Sequence, residues 1–168
     1  MTNTHPQPEA IEVLTGTLET LRVMLTLIPA DAIEATSEEG WSPRDVIAHL
    51  QSTEGVAFQG RIRALATGNR PTIENYDEES ELERSGLRER AIGELLDGFS
   101  LTRSESVRFL RSLPADAFAS IGDHSVAGEI SLADLGNHRA YHDELHIAQI
   151  TNLLAAGLQP HRANMQQF

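Results

Sequence analysis

The 168-residue chain has no cysteine and no lysine. Without cysteine there are no disulfides, no thiolate metal sites and no cysteine nucleophile. Without lysine there is no Schiff-base chemistry and no phosphate loop ending in Gly-Lys. Positive charge is scarce: 13 arginines face 25 acids, a formal charge of −12. Such a chain repels phosphate backbones, which excludes nucleic acid as a main partner. No run approaches the ~18 apolar residues of a membrane span. The first ten residues, MTNTHPQPEA, are polar, with no basic start. These absences read as a cytoplasmic chain with no membrane partner. What remains for chemistry is carboxylates, hydroxyls, arginine and seven histidines.

An apolar content of 40% is ordinary for a globular protein. The length suits one domain over residues 1–168, with loose polar termini at about 1–7 and 159–168. Four stretches carry helical periodicity. In the first, residues 9–28, Ile11, Leu14, Leu18, Leu21, Leu25 and Ile28 form one stripe, with Pro29 as a stop. The second starts at a capping box, Ser42 with Asp45, with Pro43 at the first helical position and Trp41 and Val46 as a staple. It runs to about Gly68. An acidic stretch of six carboxylates between Glu74 and Glu83 reads as a long solvated connection. The third helix covers residues 87–113 and ends at Pro114. Residues 114–130 read as loop. The fourth starts at Ser131, capped with Asp134, and stops at Gly157. No alternating strand pattern is evident. Four long helices predict an all-α four-helix bundle.

The histidines carry the chemistry. On a wheel at ~100° per residue centred on His142, His138, His146, Gln149, Leu135, Leu145 and Leu153 all fall within about 60°. This is read as the inward stripe, with Arg139, Asp143 and Glu144 flanking or opposing it. Imidazoles at i and i+4 can reach one metal ion at about 2.0–2.1 Å each. The spacing leaves open whether His138–His142 or His142–His146 is the pair. A third ligand has to come from another helix, and His49, inward on the second, is the candidate. The default reading of Gln149 is a helix-to-helix hydrogen bond, of Arg139 an interhelical salt bridge, of Tyr141 packing or interface. His124 lies in the loop before the last helix; His5 and His161 are read as solvated near the termini. His142-Asp143-Glu144-Leu145-His146 also resembles the H-E-x-x-H of zinc proteases, but Asp stands where the water-activating Glu belongs and no downstream third ligand follows.

The stretches GWSPRDVIAHL (40–50) and GEISLADLGNHRAYHDELHIAQI (128–150) together resemble DinB-like proteins. That resemblance implies a four-helix bundle of up-down-down-up topology with one divalent metal ion, zinc or nickel. Its ligands would be His49, His142 and His146, leaving His138 as a pocket residue and proton carrier. The wider superfamily includes maleylpyruvate isomerase and transferases that use mycothiol or bacillithiol. The implied function is a metal-dependent enzyme, first a transferase acting on a small electrophilic molecule, with a low-molecular-weight thiol as cosubstrate. A metal-dependent hydrolase and a non-catalytic metal-binding bundle are the alternatives. A homodimer is expected from the family habit and from exposed apolar residues such as Tyr141 and Ala148.

Overall fold

The computed structural model describes residues 9–37, 40–67 and 69–167. The N-terminal segment read as loose, His5 in it, and Gly68, the expected end of the second helix, lie outside the described residues.

Helix α1 spans Ala10–Leu25, and a one-turn α2, Ala30–Glu34, follows Pro29. α3 (Pro43–Thr53) continues through a π-helical turn, Glu54–Phe58, into α4 (Gln59–Ala66) as one rod. The connection then holds a two-residue strand β1 (Thr72–Ile73), α5 (Glu78–Ser85) and a 3₁₀ turn, Leu87–Glu89. α6 is Ile92–Ser112. A 3₁₀ turn (Ala115–Ala119) and strands β2 (Ile121–His124) and β3 (Gly128–Ser131) lead into α7, Leu132–Leu158.

Ion pairs and strand register fix the directions. Arg111 pairs with Glu12 and Arg22 with Asp97, so α1 and α6 are antiparallel. β1 follows α4 and pairs in parallel with β2, which follows α6. The α3–α4 rod and α6 therefore end at the same end of the bundle and run the same way. β3 pairs antiparallel with β2 and feeds α7, which starts there and runs back. The order is up-down-down-up. α1 and the α3–α4 rod are diagonal, each packed between α6 and α7.

The local signals explain the helix starts. Both capping boxes form: Ser42 N–H donates to Asp45 Oδ2 at 2.9 Å and Asp45 N–H to Ser42 Oγ at 3.2 Å. At α7 the matching pair, Ser131 and Asp134, bonds at 2.9 and 3.0 Å. Several expected ends shift. α1 stops at Leu25, short of the expected Ile28, and the one-turn α2 after Pro29 buries Ile33. The third long helix begins at Ile92, not residue 87: Gly86, at φ +66°, ends α5, a conformation that favours glycine. Gly157 is inside α7 rather than past it, and the tail winds into 3₁₀ turns over Gln159–Gln167. The loop read over 114–130 contains a hairpin, and β1 joins it in a three-stranded sheet. Within it Gly122 is forced, since a Cβ there would lie 2.7 Å from the Pro71 carbonyl oxygen. The acidic connection is not all solvated, because Leu82 of α5 is fully buried with Val46, Ile47 and Leu50 of α3.

The apolar interior is split in two. Leu14, Phe58, Ile62, Leu65, Leu110, Leu132 and Leu135 pack at the sheet end. Leu21, Leu25, Ile47, Leu50, Leu95, Phe99 and Ile150 pack at the other. Between them each long segment contributes polar side chains: Thr17 from α1, Thr53 and Glu54 from the rod, Arg103 and Ser106 from α6, Arg139 and Asp143 from α7, all buried. No helix among the described residues is long and apolar enough to cross a membrane.

Candidate metal centre

His49 sits on α3 and is buried, with the Trp41 ring edge-on at 5.6 Å. The residue read as a staple thus also walls the site. His142 and His146 project from α7 one turn apart and are half-buried. His142 Nε2 lies 3.2 Å from His49 Nε2 and 3.2 Å from His146 Nε2. These three residues can bring one ligand atom each within 4.8 Å of the others, and so could hold a metal ion. Two nitrogens at 2.0–2.1 Å from one tetrahedral ion stand about 3.3 Å apart, so the two 3.2 Å spacings fit.

The electrostatics fit as well. Burial first, then His146 and Arg139, lowers the His49 pKa from 6.5 to about 3. Burial, then Arg139 and His146, takes His142 to about 2. Burial lowers His146 too, against an opposing hydrogen bond from Gln149. All three rings are therefore neutral at pH 7, as ligands must be. Gln149 Oε1 accepts from His146 Nδ1 at 2.8 Å, which leaves Nε2 with its lone pair facing the other rings. Gln149 thus acts within α7 rather than across helices. His142 differs. Arg139 Nη1 stands 3.0 Å from its Nδ1, and arginine only donates. The neutral ring then carries its proton on Nε2, between the other two rings. To offer that nitrogen to an ion, the proton has to move to Nδ1 and the Arg139 contact has to open.

Arg139 is held independently of His142. It donates to Thr53 Oγ1 at 2.9 Å and to the Leu50 carbonyl at 3.2 Å, and pairs with Glu54 at 3.3 Å and Asp143 at 3.5 Å. Arg103 completes the layer, 2.8 Å from Glu54 and 2.5 Å from Asp143, which also accepts from Thr17 at 2.7 Å. Burial opposes the Arg103 charge, but Glu54 and Asp143 outweigh it and raise its pKa. Burial likewise opposes the Asp143 charge, and Arg103 and Arg139 outweigh it to lower that pKa.

Two placements on α7 are corrected by this. Asp143 is read as flanking or opposing the interior but is fully buried, whereas Leu145, read as inward, is half exposed. The buried arc, from Leu132, Gly136, Arg139, Asp143 and Ile150, is centred about 90° round from His142. The histidines lie on its border, facing a cleft. His138 is exposed, with its ring 6.5 Å from that of His142. It lines a cavity of about 50 Å³ with Thr53, Phe58, Arg61, Tyr76, Glu78 and His142. Glu78 Oε2 stands 3.6 Å from His49 Nε2. Sequence reasoning missed Glu78, Glu54, Arg103, Arg61 and Tyr76. One signal was available for Arg103: it falls on the stripe of Phe99, Ser106 and Leu110. His124 uses Nδ1 to accept from the Val126 and Ala127 amides in the hairpin turn, and His161 is exposed.

The sequence model of the DinB superfamily matches residues 14–150. A solved structure from Bacillus subtilis, YfiT, described as "a probable metal-dependent hydrolase with an unusual four-helix bundle topology", superposes with a TM-score of 0.77. It is 22% identical, and the match covers 86% of this chain and 83% of that one. A comparison with the curated proteins finds no match.

Proposed function

The chain belongs to the DinB superfamily, and from that premise we propose that it is a metal-dependent enzyme in which His49, His142 and His146 hold one divalent ion and a small electrophilic substrate is attacked beside it. The observation that carries this reading is the convergence of three Nε2 atoms, one of which belongs to His142, a residue that also lines the cavity between the α3–α4 rod and α7. Zinc or nickel held there would supply Lewis acidity, enough to bring a water pKa towards ~7 or to favour a thiolate.

The chain's own residues supply the rest. Burial keeps the rings neutral, and Gln149 fixes the tautomer of His146. Glu78, a carboxylate 3.6 Å from His49 Nε2, takes the proton of an attacking water. His138, exposed at the cavity, carries a proton to or from the leaving group. Because Glu78 provides a base for water, hydrolysis is the better-supported reaction, and YfiT is described in the same terms. Transfer to a low-molecular-weight thiol is the second reading. A groove of about 1000 Å³ reaches His146 from the side opposite His138, between Ala35–Ser37 and the second half of α7, and gives room for a larger cosubstrate. The proposal extends to a cytoplasmic homodimer: the strongly acidic, cysteine-free composition and the exposed apolar Tyr141 and Leu158 on α7 support it.

Elemental analysis of protein purified without metal-affinity resin tests the core of this. About one ion per chain is expected, with severe loss in His49→Ala and helical circular dichroism retained in that variant. Unchanged occupancy in His49→Ala would overturn the ligand set.

A further inference from the structure

The arginines of the interior are satisfied by acids: Arg103 and Arg139 share Glu54 and Asp143. Arg61, which lines the cavity, is different. Among the described residues it has no carboxylate partner. Its Nη2 donates to the Glu74 carbonyl at 2.5 Å, and its guanidinium lies over the Tyr76 ring at 5.2 Å. Those two contacts hold the group in place and use one of its five N–H donors, leaving the others for a ligand. Tyr76 and His138 line the same cavity as Arg61. Burial first and Glu78 second push the Tyr76 hydroxyl pKa up to about 12, so it remains a neutral donor. Between this end and His142 the wall is apolar, formed by Ala57, Phe58 and Leu135. Thr53, which touches Arg139, and Arg61 lie about 12 Å apart along the rod at 1.5 Å per residue.

We infer that Arg61, with Tyr76 beside it, is the binding subsite for the carboxylate of a short aliphatic acid, whose hydrocarbon lies against Phe58 and Leu135 and whose reactive end points at His142. This rests on the reading of the cavity as the substrate site and gives its substrate class. Among the described residues that line the cavity there are two arginines, and they differ: Arg139, at the histidine end, is already paired with Glu54 and Asp143, whereas Arg61 pairs with no acid. Arg61 is therefore the lining cation left to bind a carboxylate, through two parallel hydrogen bonds, and that sets the orientation. The cavity is well below the few hundred Å³ of a drug-sized site, which limits the ligand to a few carbons.

The test is calorimetric titration of zinc-loaded full-length protein with butyrate, its neutral isostere butyramide, and inorganic phosphate, with zinc content measured on the same samples. Butyrate is expected to bind about tenfold or more tighter than butyramide. Arg61→Met should erase that preference at unchanged zinc content, and Arg61→Lys should keep part of it. Equal binding of butyrate and butyramide by the parent protein would overturn the subsite. So would equal butyrate affinity in Arg61→Met, since the carboxylate would then sit elsewhere. Phosphate binding tighter than butyrate through Arg61 would overturn the carboxylate assignment. If the parent chain takes up no zinc but still discriminates through Arg61, the subsite stands and the metal reading falls. Circular dichroism confirms that each variant is folded; should Arg61→Met not fold, Tyr76→Phe replaces it, with a smaller loss of preference expected.

Discussion

Two polar clusters share the middle of α7 and behave in opposite ways. Arg139 and Asp143, with Arg103 and Glu54, form a charged layer of two cations and two anions, at most 5% exposed, between the two apolar cores. His142 and His146, with His49, form a neutral set that opens onto a cleft. The first is closed on itself: every charge meets an opposite one inside the protein. The second is closed only in part: His142 Nε2 stands 3.2 Å from both other Nε2 atoms, and its one proton cannot fully serve two acceptors. Groups that satisfy each other internally hold the helices in register. Three neutral nitrogens that converge with one proton between them could also hold a metal ion.

The sharpest way to break the comparison is to remove one member of the closed layer. Arg103→Met leaves Glu54 and Asp143 sharing Arg139 alone, and breaking a buried pair this way costs about 3–5 kcal/mol. A thermal melt should shift down by roughly 10 °C on the scaling for a domain of this size. A shift near zero would mean that water reaches the layer.

Acid should act on the open set first. His49 and His142 are held near 3 and 2 when folded and titrate near 6.5 when unfolded. The unfolded chain therefore takes up protons that the folded chain refuses. Stability from these rings is fully present above about pH 6.5 and falls as pH drops from there towards 3. Denaturant midpoints of chelator-treated protein at pH 7.5, 5.5 and 4.5 measure this. The decline should be shallower in His49→Ala, whereas an unaltered slope would assign the acid sensitivity to other groups.

A smaller effect concerns orientation. Gln149→Leu removes the acceptor that fixes the His146 tautomer, and losing such a partner typically costs about 10–100-fold in metal affinity. A zinc titration against a competing chelator reads it. The smallest change in stability belongs to His138→Gln: the ring is exposed, so the shift should stay within about 0.5 kcal/mol. The metal should be retained and any catalytic turnover reduced. Loss of metal would move His138 into the ligand set.

How much was legible depends on how far apart the partners lie. The four long helices and two of their caps could be read because the signals are contained within one or two turns: Ser42 with Asp45, Ser131 with Asp134, apolar steps of three and four. The i, i+4 relation of His142 and His146 is likewise built into the helix. β1 could not be read, since two residues show no alternation and Thr72 and Ile73 become a strand only by pairing with Asp123 and His124. Leu145 and Asp143 exchanged their expected places because a wheel gives relative angles, not which direction is inside. That direction is set by α1 and the α3–α4 rod, which cover α7 on the Asp143 side.

The sequence by itself therefore determined the four long helices, the starts at Ser42 and Ser131 and the histidine spacing, all properties of a chain within reach of its own next turn. The tertiary structure alone decided which charges are inside, that Glu78 stands beside His49, and that Arg61 lines a cavity while pairing with no acid among the described residues. The reason is physical: the cost of burying a charge is set by its partners, and those of Arg139 and Asp143 come from helices distant in sequence.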